Sequence, residues 1–233
     1  MSTYVLVHGA WHGGWCWERL RDRLAPGGAR IYMPTLTGLG DRVGHSSPSV
    51  GLETHIADVL QVFEEGGLTD VVLVGHSYAG MVVTAVADRL SSRIARLVYL
   101  DAVVPRNGQC LFDCTGAEFR LRIDEQVRAQ GEGWRIPLPT AAYLGLTQAA
   151  DINWVMPKLV PHPYRTFCDP VHLNSQNGLA PARTYVNCIG SKPRGGPRSP
   201  QASGIEDYHE LTTGHDAMVL APGELGQLLA SIS

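Results

Sequence analysis

Val74-Gly75-His76-Ser77-Tyr78-Ala79-Gly80 stands between a short apolar, β-rich run, Asp70 to Val74, and a stretch from Ala79 to Leu90 with apolar residues at helical spacing. A serine held in a tight strand-to-helix turn has its Oγ lifted clear of the sheet. The backbone N–H groups that follow it lie at a helix N-terminus, where developing negative charge is stabilised. Small residues two before and two after the serine let strand and helix approach closely, which gives the pattern G-x-S-x-G. Here the last position is Ala79, with Gly80 next, a departure that keeps the side chain small. A serine hydroxyl is a poor nucleophile until a base takes its proton, so the pattern predicts Ser77 as nucleophile and calls for a base elsewhere in the chain.

Outward from this turn, strands and helices alternate. Thr3 to Val7, Ala29 to Met33 and Ile94 to Leu100 read as strands; Trp15 to Leu24 and Leu52 to Phe63 read as helices. Short connections between such elements imply a parallel sheet covered on both faces. The alternation breaks from about Pro105 to Pro181, where helical fragments around Glu118 to Ala129 and Ile152 to Leu159 occur without a clear strand. This segment reads as a helical cap of about residues 105–181, inserted after the strand that ends near Asp101, in a single domain whose core is 1–104 and 182–233. Arg183 to Ile189 resumes as a strand, Pro193 to Ser203 reads as a loop, and Ile205 to Leu211 and Pro222 to Ile232 as the last strand and helix.

Three further positions complete a reaction centre on paper. His8-Gly9-Ala10-Trp11 follows the first strand, and an oxyanion site needs two converging backbone donors; Ala10 and Tyr78 are the predicted pair. His8 reads as a hydrogen-bonded structural residue, and His76 as one pointing away from the nucleophile. Thr213-Gly214-His215-Asp216 follows the last strand and fits a base that comes late in chain order; its rival, His209, lies within that strand. The acid that orients the base is less determined. The loop after Ile189 begins Gly190-Ser191-Lys192-Pro193-Arg194 and offers no carboxylate, whereas Asp101 closes the strand after the nucleophile helix. Asp101 is the first choice, with Glu206 and Asp207 as alternatives.

Composition narrows the partners. Hydrophobic residues are 44% of the 233 and charged residues 18%, enough apolar material for a large core. A net charge of −3 gives no electrostatic reason to expect nucleic acid or an anionic membrane. No apolar run approaches the length of a membrane span, and no signal peptide is apparent. Five scattered cysteines read as reduced thiols in a cytoplasm. Cys110 and Cys114 have a metal-like spacing without a second pair to complete a site, and no nucleotide, flavin or metalloprotease motif occurs. The expectation is a protein without cofactor or metal, monomer or homodimer, acting on a small molecule.

The chain resembles small bacterial α/β-hydrolase esterases, which are similar in turn to the plant methylesterase and hydroxynitrile lyase group. The resemblance rests on HGAWHGGWCW at His8 to Trp17, PTLTGLGDR at Pro34 to Arg42, VGHSYAG at Val74 to Gly80, YLDAVVP at Tyr99 to Pro105 and GHDAM at Gly214 to Met218. It implies the α/β-hydrolase fold, a helical cap and a cofactor-free serine hydrolase with Ser77, His215 and the Ala10 and Tyr78 donors. The spacing from Ser77 to Asp101 is similar to that of the acid in haloalkane dehalogenase relatives. Carbamate- and pyrethroid-hydrolysing members of the group make xenobiotic esters a possible substrate class. The lyases look for a threonine after the first His-Gly and a lysine after the catalytic histidine; Ala10 and Asp216 stand here instead, which argues against lyase activity.

The sequence therefore predicts hydrolysis of a small apolar or aromatic carboxylic or carbamic ester through an acyl-enzyme. The alternatives are a ligand receptor on a hydrolase scaffold and a cofactor-free lyase or oxygenase. Trp11, Tyr78, Trp134, Tyr143, Trp154 and Met156 are the predicted walls of a substrate pocket between the turn and the cap.

Overall fold

Thr3–Val7 (β1) and Val71–His76 (β3) are buried along their whole lengths, as strands covered on both faces of a sheet must be. The structure is a computed structural model that describes residues 2–174, 181–190, 205 and 207–233. Pro193 to Ser203 and Glu206 fall outside the described residues. With Arg30–Tyr32 (β2), Ile94–Leu100 (β4), Ala182–Cys188 (β7) and Asp207–Leu211 (β8), β1 and β3 form a six-stranded parallel sheet in the order β2-β1-β3-β4-β7-β8. Helices flank it. Glu18–Leu24 (α1) packs on Pro222–Ser231 (α10), while Leu52–Glu65 (α2) packs on Ala79–Arg89 (α3). The helix α2 buries Leu52, His55, Ile56, Val59 and Phe63, one stripe at a period of 3.6. This is the α/β-hydrolase fold. Among the described residues, no helix is long and apolar enough to cross a membrane.

Between β4 and β7 the chain forms Leu111–Thr115 (α4), Ala117–Gln130 (α5), Ala141–Leu144 (α6), Ala149–Val155 (α7) and Arg165–Cys168 (α8). It also forms a two-residue antiparallel ladder, Arg135–Ile136 (β5) with His162–Pro163 (β6), where the sequence suggests no strand. Two residues are too few to show an alternating period. The helices of four or five residues lack a legible period for the same reason; one of them, Ala217–Leu220 (α9), follows His215.

The turn at Ser77 is set by close packing. A Cβ on Gly75 would stand 2.5 Å from Val83 Cγ2, and one on Gly80 would stand 1.9 Å from Val103 O. The tightest approach thus falls at Gly80, which explains why Ala79 is accommodated beside it. Gly80→Ala forces α3 away from the backbone at Val103. The expected loss of stability is about 1–3 kcal/mol, whereas Gly27→Ala, with nothing within 4 Å of the added Cβ, should stay within about 0.5 kcal/mol. Urea unfolding midpoints compare the two, and equal midpoints would contradict this account of the turn.

Candidate active site

The strand order reverses between β1 and β3: the chain leaves β1 toward one side of the sheet and returns to build β3 on the other. Loops that diverge in this way leave a crevice at the C-terminal ends of the strands. Three non-glycine residues hold positive φ there: Trp11 (66°), Ser77 (56°) and Asp101 (43°). Such conformations cost roughly 1–3 kcal/mol each and persist only where the surroundings enforce them. The enforcement is visible in the backbone. Ser77 N–H donates to Leu100 O (3.1 Å), Asp101 N–H to Val186 O (2.8 Å) and Val103 N–H to Ser77 O (3.2 Å).

His215, in the loop after β8, joins the other two side chains. Its Nδ1 lies 2.5 Å from Asp101 Oδ2 and its Nε2 lies 2.9 Å from Ser77 Oγ. The Asp101 carboxylate accepts from Nδ1–H, which leaves the Nε2 lone pair facing the serine hydroxyl. Asp101 and His215 are buried, and Ser77 is partly exposed. Nearby, neither the Ala10 nor the Tyr78 amide donates to a protein acceptor among the described residues. The arrangement is suited to moving a proton from Ser77 to His215 while two amides hold a negative oxygen.

Neutral buried imidazoles frame this centre. His8 donates from Nδ1 to Gly9 O (2.8 Å) and accepts from Leu36 N–H (3.0 Å). His55 donates to Thr37 O and accepts from the Tyr78 hydroxyl, both at 2.9 Å. His162 accepts from Trp11 N–H and donates to Thr166 Oγ. His76 donates to His215 O at 2.9 Å, so its ring faces the base loop rather than turning from the reaction centre. Burial holds all four below the ordinary imidazole range, His8 at about 3 and His55 at about 4. His12 differs. Burial opposes its charge, but the neighbouring Asp216 charge and hydrogen bonds to Asp216 and Ala10 O outweigh burial and raise its pKa.

Of the residues predicted to line a pocket, Trp11 and Tyr143 stand at the centre, with ring centroids 5.8 Å apart and Tyr143 6.4 Å from the His215 ring. Both also line a cavity of about 210 Å³ with Phe119, Ile123, Arg122 and Thr140. The other predicted wall residues make their contacts elsewhere. Tyr78 turns its ring into an aromatic layer with Phe167 and His162. Trp134 lies under the Arg135 guanidinium. Trp154 packs edge-on against Trp15 beneath Lys158 and Arg19, and Met156 begins the turn Met156–Lys158 at the core margin. Asp207 starts β8, at the end of that strand opposite the loop that carries His215, and binds Arg96, Thr184 and His209; Glu206 lies outside the described residues. Sequence reasoning missed the cavity residues of α5, although the spacing of Phe119, Ile123 and Val127 carries their signal. It also missed the pairing of His12 with Asp216.

The neutral imidazoles make stability depend on pH. Their folded pKa values lie below the unfolded value near 6.5, so their contribution is complete above that pH. It is lost as pH falls toward the folded values, because the unfolded chain takes up protons that the folded chain refuses. Each such group contributes a slope of about 1.4 kcal/mol per pH unit in that window. His12 has the opposite sign: its contribution is complete below about pH 6.5 and declines as pH rises through its raised value. The urea midpoint is expected to drop between pH 6.5 and pH 5; an unchanged midpoint would mean these rings are protonated in the fold.

The sequence profile of the alpha/beta hydrolase family matches residues 4–226. The chain is 38% identical over 250 residues to a carbendazim hydrolyzing esterase of Nocardioides sp. (strain SG-4G), with all of both chains covered. It is 36% identical over 106 residues to methylesterase 9 of Arabidopsis thaliana, which covers 45% of this chain and 41% of that one. In fold it is similar to an extracellular alpha/beta-hydrolase from a Paenibacillus species (TM-score 0.86, 23% identity, 100% and 99% of the chains covered). A pyrethroid hydrolase from Sphingobium faniae JZ-2 gives a TM-score of 0.76 at 19% identity, with 99% and 96% covered. The fold, the profile match over nearly the whole sequence and the full-length relative together place this chain in the alpha/beta hydrolase family.

Proposed function

We propose that this enzyme hydrolyses small apolar or aromatic carboxylic or carbamic esters by a serine mechanism. The observation that carries the reading is the unbroken chain Asp101–His215–Ser77, with contacts of 2.5 and 2.9 Å. His215 Nε2 takes the Ser77 proton as Oγ attacks the carbonyl carbon, and the amides of Ala10 and Tyr78 hold the oxyanion. The intermediate collapses, the alcohol leaves with the proton from His215, and an acyl-Ser77 ester remains. Water then gives a proton to His215 and attacks the acyl carbon, which releases the acid and restores Ser77. Asp101 holds the tautomer and stabilises the imidazolium. Trp11 and Tyr143 supply an apolar wall for the substrate, and the adjoining cavity adds Arg122 and Thr140 to it, under the described helices between β4 and β7 as a cap on the core.

The names of the relatives support this class: one is an esterase that hydrolyses carbendazim, and another is a methylesterase. They also favour xenobiotic esters as substrates. The residue after the base is the carboxylate Asp216, held by His12; no lysine stands at that position to stabilise a leaving cyanide, which speaks against lyase chemistry. The reactive side chains are all supplied by a single chain, an arrangement that works equally in a monomer or a homodimer. Five free thiols support a cytoplasmic location.

Hydrolysis of p-nitrophenyl acetate tests the mechanism. Ser77→Ala and His215→Ala are expected to lower kcat by roughly 10³- to 10⁶-fold, and Asp101→Asn by about 10²- to 10⁴-fold. Full activity in Ser77→Ala would end the serine reading. A stoichiometric burst without turnover in the wild type would favour a receptor, and dioxygen uptake with a substrate would favour an oxygenase.

A further inference from the structure

His12 and Asp216 form a buried pair that the ester-hydrolysing steps do not use. His12 Nε2 lies 3.1 Å from Asp216 Oδ2, and His12 Nδ1 lies 2.7 Å from Ala10 O. Both side chains are essentially inaccessible, at 1% and 0%. A carbonyl oxygen can only accept, so Nδ1 carries a proton. A carboxylate sealed from water needs a charged, hydrogen-bonded partner, so Nε2 carries one as well. The ring is therefore an imidazolium that grips two acceptors at once. Trp15 stacks on it, with centroids 5.5 Å apart and planes at 28°, which fixes its plane.

The two acceptors belong to different loops of the reaction centre. Ala10, on the loop after β1, is one oxyanion donor in the proposed function. Asp216 is covalently next to the base, on the loop after β8. Several other peptide groups of the two loops are tied down separately. Trp11 N–H donates to His162 Nδ1, and Trp11 O accepts from Val160 N–H. His215 O accepts from His76, and Asp216 N–H donates to Leu144 O. These ties run from each loop to its own neighbours. The His12 ring is a hydrogen-bonded link that runs directly from one loop to the other, across 204 residues of sequence, beside the ring contacts of Tyr143 with Trp11 and His215.

We propose that His12, with Asp216, is a positioning residue that sets the oxyanion amide of Ala10 and the imidazole of His215 at a fixed separation. This rests on the ester-hydrolysing reading of the same site. Because His12 acts through other residues, its loss should weaken what is bound tightly only in the transition state. The apolar wall that binds the ground state is left in place.

The test compares wild type, His12→Gln and Asp216→Asn. A glutamine offers a single amide group where the imidazolium offers two opposed N–H donors. Asparagine keeps the shape of Asp216, so it carries the test if the first variant does not fold. With p-nitrophenyl acetate, kcat is expected to fall roughly 10- to 100-fold with KM within about threefold. Inhibition by phenylboronic acid, whose tetrahedral adduct on Ser77 uses both loops, should weaken by the same factor as kcat/KM. Variants that lose thermal stability but keep kcat and boronate affinity would overturn the proposal, as would a rise in KM at constant kcat. A wild type without ester turnover would defeat the functional reading instead. The coupling would then be read from the rate at which a fluorophosphonate labels Ser77, expected to slow by the same factor in both variants, and equal rates would overturn it.

Discussion

The reaction centre depends on the contact between the start of α3 and the chain leaving β4. Gly80 lets the Val103 carbonyl approach to a distance that no side chain would permit. In the same few residues, Ser77 N–H and O are bonded to Leu100 O and Val103 N–H. Ser77 and Asp101 are thus fixed relative to each other by main chain, before either side chain is considered. Both occupy the left-handed region, and that strain is held by the sheet ladder on one side and the helix on the other. His215 needs only to enter between two groups already in place.

Electrostatics around this frame follow from burial. Four imidazoles are kept neutral because each has one proton and a matching donor or acceptor set, apart from His76 Nδ1, which lacks a partner among the described residues. His12 is the exception because a carboxylate stands against it. In the proposed mechanism His215 gains and loses a proton at each turnover, and the four rings around it, held below the ordinary imidazole range, stay neutral near pH 7.

Much of the fold was legible from the sequence, because fully buried parallel strands are short continuous apolar runs and surface helices have a period. Thr3–Val7 and Ile94–Leu100 have the limits that their composition suggests. Between β4 and β7 the described elements are two to seven residues long, apart from α5; α5 and the fragment at α7 show a helical period, and the shorter elements show none. At the reaction centre, the Ser77 turn is a local pattern and could be read directly. The contact of Asp101 with His215 spans 114 residues, and sequence could only rank Asp101 by its place at the end of a strand. Trp134 and Trp154 show the limit of composition. An aromatic residue announces burial or a contact, but not which face it turns to, and both of these serve cations. The His12–Asp216 pair had no local signal, since each residue stands beside a more conspicuous motif.

All the helices between β4 and β7 lie within the stretch of chain that separates Asp101 from His215. Closing a loop between two fixed points depends only logarithmically on its length, about 0.6 kcal/mol for each doubling. Changes of length in that segment that keep its ties at Leu144, Val160 and His162 therefore leave the anchoring of both residues almost unaffected, because each otherwise follows its own strand. The architecture separates two kinds of evolutionary change: the sheet edge resists alteration because its backbone contacts are exacting, while the intervening helices are free to be remodelled toward new acyl or alcohol groups. Diversification of such an enzyme is expected to be concentrated in one contiguous block of its gene.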